Sequence, residues 1–262
     1  MQFPLFTPPT EWVMPDGYPN LAHAKEIAID LETKDPNLLS HGSGWARGDG
    51  EVIGVAVSAG ADSWYFPIRH QNGGNLDPKQ TLAWVKDLCS VDRDYIMHNA
   101  LYDAGWLWRE GIEVKGRIID TMIVGALLDE NRFSYSLNAL SVDYLGEIKN
   151  ETFLNEKAKE WGIDPKADLW KLPAGYVGFY AEQDAGLTLR LWERFKTEIS
   201  KQSLNDVWDM EMELLPILIE TRRTGIRVDE AQAAKLKKEF KKKESEVLYQ
   251  IKSQTTLDVD IW

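Results

Sequence analysis

The stretch Ile27-Ala28-Ile29-Asp30-Leu31-Glu32-Thr33 has the pattern of a buried β-strand that ends in two carboxylates. Side chains of a strand alternate between its two faces, so Asp30 and Glu32 share one face and the large aliphatic side chains share the other. Two acids at the tip of an apolar strand are costly to desolvate unless a positive charge lies beside them. A divalent metal ion is one explanation, since Mg²⁺ and Mn²⁺ prefer carboxylate oxygens. Two solvated acids at a strand end explain the pair equally well.

The composition is that of an ordinary globular chain. Its 262 residues, 44% of them hydrophobic, suffice for one large domain or one domain with an appendage. The single cysteine, Cys89, excludes an intramolecular disulfide and is typical of a reducing compartment. No apolar run approaches the ~18 residues that span a membrane, and the N-terminus lacks the features of a signal peptide. We therefore expect a cytoplasmic chain without a membrane partner.

The net charge of −12 restricts how this chain could bind nucleic acid. A protein that grips the phosphate backbone over a broad surface is normally basic, because its lysines and arginines neutralise the phosphates. An acidic chain that binds DNA or RNA must therefore use a small contact, or a site whose own negative charge is neutralised by metal ions.

The order of strand and helix patterns predicts an α/β domain with a mixed sheet flanked by helices. A shift to helical, locally basic sequence near 204 predicts a boundary between a domain over 1–203 and a C-terminal helical extension over 204–262. In order, we predict an extended arm over 1–22 packed through Phe3, Phe6 and Trp12; a strand at 27–33; a loop at 34–50; an antiparallel hairpin of strands at 52–57 and 63–68; a helix from Pro78; strands at 95–97 and 117–120, each followed by a helix; short helices between 134 and 173; long helices at 174–199 and 204–223; a turn or strand at 225–228; and a last helix capped by Asp229.

Two further carboxylates lie in patterns that suit a metal site. Asp103 follows Asn99 by four residues where a strand passes into a helix, and the helix dipole favours a carboxylate in that first turn. Tyr180 and Asp184 are also four apart, so they share one face of a long helix. An ordinary helix-start acid and a surface Tyr–Asp pair are the simpler explanations of each pattern alone. The ordered set Asp-x-Glu, Asn-x-x-x-Asp, Tyr-x-x-x-Asp is far more specific.

This ordered set resembles the DEDD superfamily of 3′–5′ exonucleases, which have an RNase H-like fold. A tyrosine four positions before the last acid indicates the tyrosine subclass. The resemblance implies two divalent metal ions, Mg²⁺ or Mn²⁺, held by four carboxylates, and a tyrosine that orients the attacking water. The implied metal ligands are Asp30, Glu32, Asp103 and Asp184, and the implied catalytic residues are these four together with Tyr180.

The same resemblance suggests which residues meet the substrate. Thr33, His98 and Asn99 are the candidates for contact with the terminal nucleotides. Trp45, Phe66 and Tyr102 could stack on bases, since stacking tolerates any sequence, but a place in the core is the stronger expectation for all three.

Other stretches resemble the proofreading domain of family A DNA polymerases, in the phage and bacterial branch. The last part of the chain resembles the junction at which such polymerases enter the thumb. The resemblance implies a single-stranded or frayed DNA 3′ end as substrate, a polymerase domain in the same or another chain as partner, and a bacterial or phage-infected cell as location. The stretches are 45–50, 64–67, 120–122, 135–140, 211–218 and 224–229.

Two alternatives stay open. An RNase D-type RNA exonuclease shares the four acids, although it would not be expected to carry the stretches 211–218 and 224–229. A non-catalytic module that binds DNA ends or docks a polymerase could keep the fold, but the complete set of acids with Tyr180 disfavours it. Comparing the degradation of matched DNA and RNA oligonucleotides would separate these possibilities.

Overall fold

A computed structural model describes residues 10–255. Trp12 in the predicted arm is buried against the domain, and its indole N–H donates to Glu182 at 2.9 Å. Phe3 and Phe6, predicted to pack in the same way, lie outside the described residues. Among the residues that are described, no helix combines the length and the apolar character needed to cross a membrane.

The centre of the molecule is one mixed five-stranded sheet in the order β3-β2-β1-β4-β5. The β1–β2 and β2–β3 pairs are antiparallel, whereas β4 and β5 run parallel to β1. The predicted hairpin and the predicted mixed sheet are thus confirmed. The strands are β1 (Glu26–Lys34), β2 (Glu51–Ala59), β3 (Asp62–Pro67), β4 (Asp94–Met97) and β5 (Arg117–Asp120).

Helices cover both faces of this sheet. Ile27, Ile29 and Leu31 of β1 are buried on the side of α3 and α4. The opposite face, which carries Ala28, packs against α5, α6 and α8. The helices are α1 (Leu38–His41), α2 (Gly44–Arg47), α3 (Pro78–Cys89), α4 (Ala100–Arg109), α5 (Thr121–Leu128), α6 (Leu137–Leu145), α7 (Thr152–Trp161), α8 (Ala174–Lys201), α9 (Asn205–Thr224) and α10 (Glu230–Thr255).

Two local predictions need correction. The segment 34–50, predicted as a loop, contains the short helices α1 and α2. Side chains organise this segment, because Asp35 accepts from the Gly44 N–H at 2.9 Å and Asn37 donates to Asp49 at 2.7 Å. The segment 225–228, predicted as a turn or a strand, forms no strand. The helix predicted at 204–223 is present as α9 and runs through Pro216.

The chain divides into two compact units between Arg223 and Thr224. Helix α9 belongs to the first unit, in which Met212 and Leu215 are buried. Helix α10 belongs to the second unit and begins as predicted, with the Asp229 carboxylate accepting from the Gln232 N–H at 2.9 Å. The functional domain proposed over 1–203 stays a prediction.

Candidate active site

The carboxylate pair of β1 lies where that strand loses one of its neighbours. Strand β4 pairs with β1 only as far as Ala28, so the backbone of the following residues is free on that side. The Leu31 N–H is therefore not paired with β4 and instead donates to the Asp103 carboxylate of α4 at 3.0 Å. Asp30 and Glu32 stay half-buried on the face that packs against α8. The end of β1 and the start of α4 are thereby tied together.

A further acid, Asp120, holds the start of α4 in place. Its buried carboxylate at the end of β5 accepts from the N–H groups of Asn99 at 3.0 Å, Ala100 at 2.8 Å and Met122 at 2.8 Å. Asn99 adopts the left-handed conformation, with φ +67°, which any residue other than glycine adopts only at some cost. These three hydrogen bonds to Asp120 thus fix the turn from which the Asp103 side chain reaches β1. The sequence marked Asp120 only as part of a resemblance and did not predict this role.

Helix α8 contributes Tyr180 and Asp184 from its sheet-facing side. Leu187 and Leu191 on the same face are fully buried, as the sequence predicted. Asp184 is 6% exposed, and its Oδ1 atom is buried without a hydrogen-bond partner among the described residues. Three separate elements, β1, α4 and α8, therefore bring the five predicted catalytic residues to one place.

The four acids are close enough to affect one another electrostatically. Burial raises the pKa of Asp30 to about 6, although Lys149 opposes the shift. Burial and the neighbouring Asp30 raise the pKa of Asp184 to about 7. The pKa values of Glu32 and Asp103 rise well above their usual range for the same two reasons. The site therefore concentrates negative charge that folding alone does not neutralise.

Lys149, in the segment between α6 and α7, is the functional candidate that sequence reasoning missed. Its ammonium lies 2.6 Å from Asp184 Oδ2 and 3.2 Å from Glu151 Oε1. It also lies 4.0 Å from the centre of the Tyr180 ring. The side chain is only 9% exposed. A lone lysine in a polar segment carries no sequence signal that would have identified it.

The donor set fits a hard divalent ion, although the described side chains are not already arranged around one. Among residues 10–255, no three His, Cys, Asp or Glu side chains converge as a metal-binding group. The carboxylates of Asp30 and Glu32 nevertheless have no hydrogen-bond or ion-pair partner in the described chain, and Asp184 Oδ1 is likewise unpartnered. Unpartnered carboxylate oxygens that repel one another are the ligands that Mg²⁺ or Mn²⁺ would bind.

The predicted substrate residues lie beside these acids with different local partners. The Thr33 hydroxyl is 2.7 Å from the Tyr102 hydroxyl, and His98 Nδ1 is 2.9 Å from the Thr121 hydroxyl. Burial lowers the pKa of His98 to about 4, so its imidazole is neutral. Asn99 is exposed at the helix start. Their contact with substrate stays a prediction.

The three candidates for base stacking differ in how deeply their side chains are buried. Trp45 and Phe66 are 1% and 0% exposed, so they belong to the core, as the stronger expectation had it. Tyr102 is half-buried and donates to the Asp35 carboxylate at 3.2 Å. Stacking of Tyr102 on a base stays a prediction.

A mixed sheet of this order, with acids contributed by the first strand and by two helices, defines an RNase H-like nuclease fold. A family model described as 3′–5′ exonuclease matches residues 16–200, and the chain belongs to this family. A DNA-directed DNA polymerase of Pseudomonas phage M6 is 37% identical over the whole of this chain. The chain spans 41% of the length of that polymerase.

Solved structures show the same fold. One is the POL domain of Pol1 from M. smegmatis in complex with DNA primer-template and dNTP, with a TM-score of 0.62 and 15% sequence identity. The match covers 91% of this chain and 35% of the Pol1 chain. Brucella melitensis NrnC with bound Mg²⁺ matches 78% of this chain and 88% of its own with a TM-score of 0.55 and 17% identity. The predicted family and fold are both confirmed.

Proposed function

We propose that this chain is a metal-dependent 3′–5′ exonuclease that removes nucleotides from DNA 3′ ends, as the proofreading part of a family A DNA polymerase. The observation that carries the proposal is the meeting of Asp30, Glu32, Asp103 and Asp184 from β1, α4 and α8. The Asp30 and Glu32 carboxylates and Asp184 Oδ1 have no hydrogen-bond partner in the described chain. Membership of the exonuclease family and similarity to a phage DNA polymerase support it.

The partners follow from the same comparison. The phage polymerase is longer than this chain, so we expect a polymerase domain to act with it, in the same or a separate chain. The substrate is a single-stranded or frayed DNA 3′ end in the cytoplasm of a bacterial or phage-infected cell. Such a substrate presents only a few nucleotides at a time. An acidic chain can bind it because metal ions neutralise the acids of the site.

Two divalent ions, Mg²⁺ or Mn²⁺, would make hydroxide available near neutral pH and stabilise the leaving oxygen. Asp30, Glu32 and Asp184 are the residues to hold one ion, and Asp30 and Asp103 the residues to hold the other. The buried Asp120 carboxylate accepts hydrogen bonds from the start of α4 and so keeps Asp103 in position for this task. Lys149 already neutralises part of the charge on Asp184.

In the reaction, a water oxygen forms a bond to the terminal phosphorus and the bond from that phosphorus to the preceding 3′ oxygen breaks. The water proton leaves to solvent, and the 3′ oxygen takes up a proton, so that a nucleoside 5′-monophosphate is released. Burial, with Glu32 nearby, raises the pKa of Tyr180 well above its usual range. Its hydroxyl therefore stays protonated and orients the water by hydrogen bonding. Thr33, His98 and Asn99 contact the terminal nucleotide.

The test is a gel at single-nucleotide resolution with 5′-labelled single-stranded DNA. We expect a ladder that shortens from the 3′ end with Mg²⁺ or Mn²⁺ and disappears with EDTA. Asp184→Asn should abolish the ladder while the circular dichroism spectrum stays unchanged. The matched control Asp62→Asn changes an exposed acid at the start of β3 and should cut normally.

Other outcomes would contradict the proposal. Intact DNA with both metals, from folded wild-type protein, would favour a docking module or a nuclease that needs its polymerase to hold the substrate. Faster degradation of a matched RNA oligonucleotide would favour an RNA exonuclease. Equal cutting by Asp184→Asn and wild type would remove Asp184 from the mechanism.

A further inference from the structure

Lys149 is a buried cation in the candidate active site to which the proposed mechanism gives no task beyond pairing with Asp184. It lines one cleft of about 410 Å³ together with Glu32 and Tyr180. An ion pair with Asp184 alone would not require the ammonium to lie over the Tyr180 ring, yet it lies 4.0 Å from the ring centre. Lys149 therefore borders the same open cleft as two of the predicted catalytic residues, where a substrate could reach it.

The ammonium also has donor capacity to spare. A lysine ammonium carries three N–H donors. The contacts to Asp184 Oδ2 at 2.6 Å and Glu151 Oε1 at 3.2 Å occupy at most two of them. At least one N–H group is therefore available to an acceptor in the cleft. A non-bridging phosphate oxygen is the strongest acceptor that a DNA end offers.

The balance of charges in the metal-loaded site explains why a further cation is needed beside the phosphate. The four carboxylates and Glu151, which lies 3.2 Å from the Lys149 ammonium, carry five negative charges, and two divalent ions would supply four positive ones. The loaded site would then be one positive charge short even before the phosphodiester adds its own negative charge, which grows in the transition state. Lys149 supplies the fifth positive charge in a site that is largely screened from water, where a fixed charge acts more strongly than at the surface.

We propose that Lys149 is a further catalytic residue, whose ammonium donates to a non-bridging oxygen of the scissile phosphate while Asp184 holds it in position. The inference rests on the proposed function, since it assumes a DNA 3′ end in the cleft. Lys149 takes part in no bond-making or bond-breaking step. It compensates charge on the phosphate during the hydrolysis described above.

The first experiment measures binding of a short single-stranded DNA in EDTA by fluorescence anisotropy, so that catalysis does not interfere. The DNA carries either an ordinary phosphodiester or an uncharged methylphosphonate at its 3′-terminal linkage. We expect Lys149→Met to weaken binding of the ordinary DNA by about tenfold or more, because a charge-assisted hydrogen bond is lost. The difference between variant and wild type should fall to less than about twofold on the methylphosphonate.

The salt dependence of binding gives an independent measure of the same contact. The slope of log K against log salt should be smaller by about 0.7 in Lys149→Met, the value for one phosphate contact on a single strand. Lys149→Arg keeps the positive charge and should retain most of the slope. Lys196→Met is the matched control, because it removes a lysine paired with Glu26 at 2.8 Å outside the cleft. Its binding should equal that of wild type.

The second experiment measures cleavage with Mg²⁺. We expect Lys149→Met to lower kcat by about 10²–10³-fold, the usual cost of removing one donor to a developing negative charge. Lys149→Arg should recover a substantial part of the rate. Circular dichroism and thermal melting establish that each variant is folded.

The results separate this inference from the proposed function. No cleavage by wild-type protein would overturn the proposed function itself. Cleavage by wild type together with an equal binding loss of Lys149→Met on both DNAs would overturn the phosphate contact and make Lys149 a positioning residue for Asp184. Full activity of Lys149→Met would exclude both roles.

Discussion

At the scale of single residues, the dominant feature is a group of four acids that Lys149 compensates only in part. The half-buried Asp30 and Glu32 accept no hydrogen bond from the described chain, whereas the neighbouring buried acid Asp120 accepts from three backbone N–H groups. Removing a carboxylate from water without giving it a partner costs free energy, so the half-buried pair contributes little to stability and is available to bind an ion. Asp120 holds the backbone in place, and the β1 pair has the free oxygens that the proposed metal site requires.

The raised pKa values of the acids in the candidate site predict how the stability of the protein depends on pH. Without metal, Asp30 and Asp184 titrate near 6 and 7, whereas an aspartate of the unfolded chain titrates near about 3.9. The folded protein therefore binds more protons than the unfolded chain between these values. The protonated Asp30 and Asp184 side chains therefore contribute stability at low pH, and this contribution is lost as the pH rises through about 6 to 7.

Metal binding should reverse this loss. The carboxylates must be deprotonated to bind an ion, so Mg²⁺ should raise the melting temperature more at about pH 8 than at about pH 5. Thermal melts with Mg²⁺ and with EDTA at both pH values test this. A melting temperature that Mg²⁺ leaves unchanged at both pH values would contradict the assignment of the four acids as metal ligands.

At the scale of elements, the site depends on how closely β3 packs against β2 beside Glu32 of β1. Gly54 of β2 pairs with Glu32, and a side chain on it would overlap the Tyr65 hydroxyl of β3. That hydroxyl is held 2.7 Å from His70 Nε2, and burial lowers the pKa of His70 to about 4. The neutral ring accepts the hydrogen bond there because its Nδ1–H donates to the Leu172 carbonyl at 2.8 Å. The sheet beneath Glu32 therefore has no room for an added methyl group.

Gly54→Ala should therefore damage both stability and activity. We expect a loss of about 1–3 kcal/mol in the free energy of unfolding, because Tyr65 must move within a closely packed core. The nuclease rate should fall as well, since β2 positions Glu32. Chemical denaturation and the cleavage gel measure the two effects. Gly17→Ala, which meets no atom within 4 Å, is the control and should change neither.

At the scale of the whole molecule, every candidate catalytic residue lies in the first of the two compact units. Shortening the chain to residues 1–223 should therefore leave a folded, metal-dependent nuclease. Ending it at 203 removes α9, whose Met212 and Leu215 are 2% and 1% exposed, and should lower the melting temperature markedly. Thermal melts and the cleavage gel test both versions. Inactivity of a folded 1–223 chain would mean that the second unit takes part in binding DNA.

Much of the fold and the acid set could be predicted from the sequence because their signals are local. Alternation with a period of two identified β1 and put Asp30 and Glu32 on one face. A spacing of four put Tyr180 and Asp184 on one face of α8. Such patterns follow from backbone geometry over a few residues. They do not reveal side chains that organise an apparent loop, which is why α1 and α2 were predicted as unstructured.

What only the tertiary structure decided are the contacts between residues that lie far apart in the chain. Lys149 reaches Asp184 across 35 positions, and the Leu31 N–H reaches Asp103 across 72. Neither residue pair has a spacing that an element repeats, so no periodicity could reveal it. The sequence by itself determined which acids are the candidates for the site and which elements carry them. The packing of β1, α4 and α8 decided their shared burial, their raised pKa values and the cation that lies among them.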